Sequence, residues 1–146
     1  MPTAFTQAQK SRNASVLNLK TLGSATYITS SAIDLGADLP LDVTLEVECD
    51  PNGSPTGNKQ LMIFVKFSLD NSNFGSGPES GTTATEEDDL HYVGRLPTND
   101  TNTHRKFFSL MGLPTARYLK IVVKNDMGVA LTSGNVYMAA ITGVGT

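Results

Sequence analysis

Ala116-Arg-Tyr-Leu-Lys-Ile-Val-Val-Lys-Asn125, taken with Leu61-Met-Ile-Phe-Val-Lys-Phe-Ser-Leu69, decides the fold class. Both stretches alternate apolar with polar or larger residues at a period of two. Both are rich in β-branched and aromatic side chains, the pattern of strands half-buried in a sheet. Gly- and Asn-rich turns lie between them, and no segment carries a convincing helical period. The chain is therefore expected to be all-β, a two-sheet antiparallel sandwich, jelly-roll-like, of about eight strands.

Further strand-like segments flank these two. Residues 16–20 and 26–29 are separated by Gly23, and residues 32–35 are closed by Gly36 and Pro40. Residues 41–49 alternate through Leu41, Val43, Leu45, Val47 and Cys49. The run 50–57, dense in Asp, Asn, Gly and Pro, reads as the connection of a long hairpin joining 41–49 to 61–69. Downstream, residues 91–93, 106–110, 118–124 and 135–141 read as strands. Phe64, Phe67, Phe107, Phe108 and Tyr118 fall in strand patterns and are expected in the core. Residues 1–12 are polar and unpatterned, and read as an arm that orders against the domain edge or another subunit, with a short helix as the alternative. Residues 13–146 are left as a single sandwich domain. The connection 70–89 is the longest, and loops beyond roughly 12–15 residues are often functional. A second polar connection covers 97–105.

A chain of 146 residues is long enough for one domain to bury a core without staples. An apolar fraction of 39% and a charged fraction of 17% suit a globular protein and not a disordered tail. A net charge of −3 gives no broad attraction to nucleic acid or anionic membrane, so neither is an expected partner. Cys49 stands alone and in phase with a buried strand face, as a small hydrophobe would. The N-terminus lacks an apolar stretch after a basic start, so no signal peptide is expected. No apolar run approaches the roughly 18 residues that span a bilayer. Synthesis in a host cytoplasm is the expectation.

Chemistry has little purchase here. Nucleophilic catalysis needs a hydroxyl or thiol beside an oriented base. The two histidines, His91 and His104, begin a strand and sit in a polar loop. An enzyme is therefore not expected. Asp70-Asn-Ser-Asn-Phe-Gly75 resembles the start of a calcium loop, but the fifth and twelfth positions hold Phe74 and Gly81, which breaks the EF-hand register. No metal or other cofactor is expected. Asn13-Ala-Ser15 and Asn99-Asp-Thr101 match the glycosylation sequon and carry little weight without a signal peptide. Glu86, Glu87, Asp88 and Asp89 form an acidic run that is either a solvated loop or an edge meeting a basic partner. His104, Arg105 and Lys106 are a candidate complement, within the chain or on a neighbouring copy. With Phe5 in the arm and Asp70 and Asn73 in the long loop, these are the candidate interaction residues. Arg117 should stand at a strand end, its head reaching water or a carboxylate.

Phe67-Ser-Leu-Asp-Asn-Ser-Asn-Phe74, Tyr92-Val-Gly-Arg-Leu-Pro97, Lys106-Phe-Phe-Ser-Leu110, the 114–125 stretch and Gly134-Asn-Val-Tyr137 together resemble small β-sandwich virion proteins of tailed bacteriophages. The similarity is to the capsid decoration or cement class and covers roughly residues 41–146. It implies a non-enzymatic structural protein of the virion that binds the major capsid protein or another virion protein, as a homo-oligomer. A tail, neck or baseplate component is the neighbouring alternative. The Ala116–Lys120 stretch is also similar to discoidin-type sugar-binding sandwiches, though the cysteine pair and tryptophans common there are missing. That leaves a carbohydrate- or host-surface-binding module as the second class.

Overall fold

The computed structural model describes residues 5–145. Within them the strands are β1 (Phe5–Gln9), β2 (Leu17–Asn18), β3 (Tyr27–Thr29), β4 (Ile33–Asp34), β5 (Asp42–Pro51), β6 (Gln60–Ser68), β7 (His91–Pro97), β8 (His104–Ser109), β9 (Tyr118–Asp126) and β10 (Leu131–Gly145). A single 3₁₀ turn, Glu87–Asp89, is the helical element among the described residues.

All pairings are antiparallel. The first sheet runs β1-β10-β5-β8, with β2 also on β10; the second runs β3-β9-β6-β7, with β4 also on β9. β1 and β2 follow one edge of β10, opposite residues 141–145 and 135–136, so they are one interrupted strand. β3 and β4 share the edge of β9 in the same way. Counted as strand positions, the two orders become 1-8-3-6 and 2-7-4-5, the connectivity of a jelly roll.

The alternation of β5 shows why the sheets stack. Val43, Leu45, Val47 and Cys49 are buried, while Thr44, Glu46, Glu48 and Asp50 point the other way. From the second sheet Leu61, Ile63 and Val65 of β6 and Leu119, Ile121 and Val123 of β9 meet them. Each such Val, Leu or Ile contributes about 1.5–3 kcal/mol on leaving water. Burial also pushes the Cys49 thiol up to about 12, with Asp50 and Glu48 adding to the shift.

The expected hairpin does not form. β5 and β6 lie in different sheets, and residues 52–59 cross from one to the other. β6 pairs with β7 and β9, and β5 with β8 and β10. An alternating strand needs one apolar face covered, and the opposing sheet covers it as well as a hairpin neighbour would. Phe107 is a second correction: it is 61% exposed, because Phe108 takes the inward position of β8 and adjacent strand residues face opposite sides. Leu41 likewise stays 58% exposed, one residue ahead of β5. Phe64 is buried on the outer side of its sheet, and Phe67 and Tyr118 are half-buried.

At one end of the sandwich, Asn125 is fully buried and satisfied. Its amide donates to the carbonyls of Leu22 (2.9 Å) and Val129 (2.8 Å), and its oxygen accepts from the Met127 N–H (3.0 Å).

Candidate functional site

The opposite end carries a cleft lined mostly by apolar residues. It forms where the 35–41 connection between β4 and β5 meets the 110–117 connection between β8 and β9, beside the end of β6. The cleft encloses about 230 Å³; Leu35, Phe67, Leu110, Leu113 and Leu119 line it. Its rim exposes Leu39, Leu41 and Met111, the last at 67%. Exposed apolar side chains gathered round one concavity are the usual mark of a surface that meets something. Next in sequence to the lining residues Ala116 and Leu35, Arg117 pairs with Asp34, Nε to Oδ1 at 2.8 Å and Nη2 to Oδ2 at 3.0 Å. That fork, with the Gly36 N–H, holds the Asp34 carboxyl below the usual carboxylate range.

The outer face of the first sheet is a second organised surface. Cross-strand rows set Tyr137, Glu46 and Phe107 side by side, then Asn135, Glu48 and Arg105. Arg105 pairs with Glu46 (3.0 Å) and with Glu48. Arg12 lies 3.6 Å from the centroid of the Tyr137 ring and 3.3 Å from Glu46. The Tyr137 hydroxyl donates to Glu48 (3.1 Å). Arg105, and then Tyr137, hold Glu48 below the ordinary range.

No protein-family model matches this chain, and no curated protein does.

The residues singled out in the sequence do not form one site. Phe5 opens β1, its backbone in register with Gly145 on the domain's own sheet edge. The Asp70 carboxylate accepts the N–H groups of Ser72 (2.9 Å) and Asn73 (2.8 Å), the Asn73 amide and the Ser68 hydroxyl, which hold it far below its usual range. It staples a turn. Among the described residues no three His, Cys, Asp or Glu side chains converge as a metal site would require. Glu86 takes a left-handed conformation before the 3₁₀ turn, Glu87 meets Lys124 (3.4 Å), Asp88 faces solvent, and Asp89 accepts the Ser76 hydroxyl (2.6 Å). His104 contacts Asp100 (3.1 Å), Arg105 the two β5 glutamates, and Lys106 the Arg95 carbonyl (3.3 Å). The acidic run and the basic triplet thus each find partners inside the chain, and not each other.

The 70–89 connection covers the outer face of the second sheet. Leu90 packs there with Tyr27, Phe64 and Val122. Lys66, only 4% exposed, donates to the Gly77 carbonyl (2.7 Å) and meets Glu79 (3.4 Å). Lys120 reaches the same Glu79 (3.6 Å). Gly77 sits at φ +126°, and a Cβ there would lie 2.6 Å from Leu90, so only glycine lets the loop come this close.

Leu39, Leu41, Met111, Arg12, Glu46 and Tyr137 are not marked by the sequence as surface contacts, and Leu41 is expected there on a strand's alternating apolar face. The one available signal was apolar residues inside turn-forming segments, Leu39 and Leu41 round Pro40 and Met111 before Gly112.

Proposed function

We propose that this chain is a non-enzymatic structural protein of a virion, acting as a capsid decoration (cement) protein on the major capsid protein. The observation that carries the reading is the apolar-rimmed cleft at one end of the sandwich. A domain that seats its end on a shell needs exposed apolar side chains concentrated there, with polar faces left for solvent and neighbours. Leu39, Leu41 and Met111 are so placed. Burying such side chains contributes about 1.5–3 kcal/mol each, and part of that offsets the entropy of association. Many identical weak attachments on a lattice then add through effective concentration.

The test is quantitative mass spectrometry of purified particles of the phage that encodes the chain. A copy number near that of the major capsid protein, or a simple fraction of it, supports decoration. A handful of copies moves the chain to the tail, neck or baseplate, and absence from particles overturns the reading. Leu41→Asp combined with Met111→Asp should leave the fold intact and abolish attachment to shells. A carbohydrate- or host-surface-binding role is the second reading, favoured by exposed Phe107 beside the Tyr137, Arg12 and Glu46 group. A glycan array that returns ligands lost in Phe107→Ala would establish it.

A further inference from the structure

The edge of the first sheet at β8 has hydrogen-bonding groups left over. The Leu110 N–H donates to the Val43 carbonyl (3.0 Å), which makes that pair hydrogen-bonded. The carbonyls of Val136, Met138 and Ala140 on β10 accept from the far side, from Val16, Asn13 and Lys10. Alternation across β5 then turns the peptide groups of Arg105, Phe107 and Ser109 away from β5. No hydrogen bond among the described residues uses them.

Edge strands are usually blunted by bulges, prolines or charge. β7, the neighbouring edge, has a register shift opposite Ile63 and Phe64 and ends in Pro97. β8 keeps an unbroken register along β5. Its two charges are tied back, Arg105 to Glu46 and Glu48, and Lys106 to the Arg95 carbonyl. Its middle residue is the exposed Phe107.

We propose that β8 is a dimerisation edge, on which two copies of this chain pair antiparallel about a two-fold axis at Phe107. The register follows from the charges. Centring on Phe107 sets the two phenyl rings side by side and Arg105 of each copy opposite Ser109 of the other. The Ser109 hydroxyl donates to the Asp42 carboxylate (2.6 Å), so a guanidinium meets a carboxylate at both ends of the pairing. Lys106 falls opposite Phe108, in both copies. Centring on Arg105 or Lys106 would oppose like charges, which destabilises a cross-strand pair. The outward peptide groups of Arg105, Phe107 and Ser109 close reciprocal hydrogen bonds, and the first sheet continues across both copies, a strand-addition contact. This pairing is independent of the virion reading.

Sedimentation equilibrium of the full chain should give twice the mass of one copy. Phe107→Pro removes one outward N–H and no bond to β5, and edge strands tolerate proline on that side. It should be monomeric, with circular dichroism unchanged and, at concentrations where the wild type is dissociated, the same unfolding midpoint. Phe107→Cys should cross-link copy to copy under mild oxidation, while the wild type, whose Cys49 is buried, should not. If the proline variant fails to fold, the cross-link decides alone. A wild-type chain still monomeric at roughly millimolar concentration, a dimer that forms no cross-link at position 107, or a folded proline variant that remains dimeric overturns the proposal.

Discussion

The two outer faces of the sandwich are built from the same kind of strand and end differently. The second sheet hides its outer face under its own 70–89 connection, with Leu90 packed on Phe64 and Val122 and Lys66 drawn out of water. The first sheet leaves its outer face open, carrying Phe107 and a lattice of paired arginines and glutamates. One face is finished by the chain itself; the other is polished enough to stand in water and still presents an aromatic ring. Substitutions under the loop should therefore act on stability, and substitutions on the open face on association.

The largest effect should come from lifting the cover. Leu90→Ala removes the apolar anchor of the loop and should cost about 2–4 kcal/mol in denaturant unfolding. Gly77→Ala should cost about 1–3 kcal/mol in the same assay, because its conformation and its contact with Leu90 both exclude a Cβ. Acid sharpens the contrast differently. Glu48 and Asp50 on the open face, Asp34 beside the cleft and Asp70 in the exposed turn that starts the loop all bind protons more weakly folded than unfolded. Their stabilisation is complete above the ordinary carboxylate range and lost as pH falls below it toward the depressed folded values. Thermal midpoints should thus fall steadily on acidification below that range. Glu48→Gln should flatten part of this fall, since it removes one of the depressed groups. The smallest effect should be Phe107→Ala, within about 0.5 kcal/mol of wild type in unfolding of the isolated chain at low concentration. A loss comparable with Leu90→Ala would mean the open face is structural after all.

The buried face of β5 was legible because Val43, Leu45, Val47 and Cys49 repeat at the period a strand imposes. The same period could not tell which sheet each strand joins, and that is where the hairpin between 41–49 and 61–69 went wrong. Periodicity reports which face is covered, not by what. Phe107 and Phe108 held a clue, since adjacent strand residues cannot both face one core. Arg12 and Glu46, or Asp34 and Arg117, meet only because the topology brings distant segments together. Arg117 is expected from the sequence at a strand end with its head on water or a carboxylate, but nothing local in the sequence marks the partner in either pair. The cleft escaped notice for a related reason: its rim lies in connections, where burial depends on how two loops come to rest together.

Phe5 and Gly145 are register partners at one corner of the first sheet. A short linker between them would turn the described chain into a ring with little added loop-closure entropy. New ends could then be opened in the 52–58 turn at the far end, giving a circular permutant with its strands uncut. A tag joined next to Phe5 or Gly145 would leave from this one corner, close to Leu41, whose side chain approaches Gly143. A tag on the permutant's ends would hang from the opposite pole and leave the cleft clear.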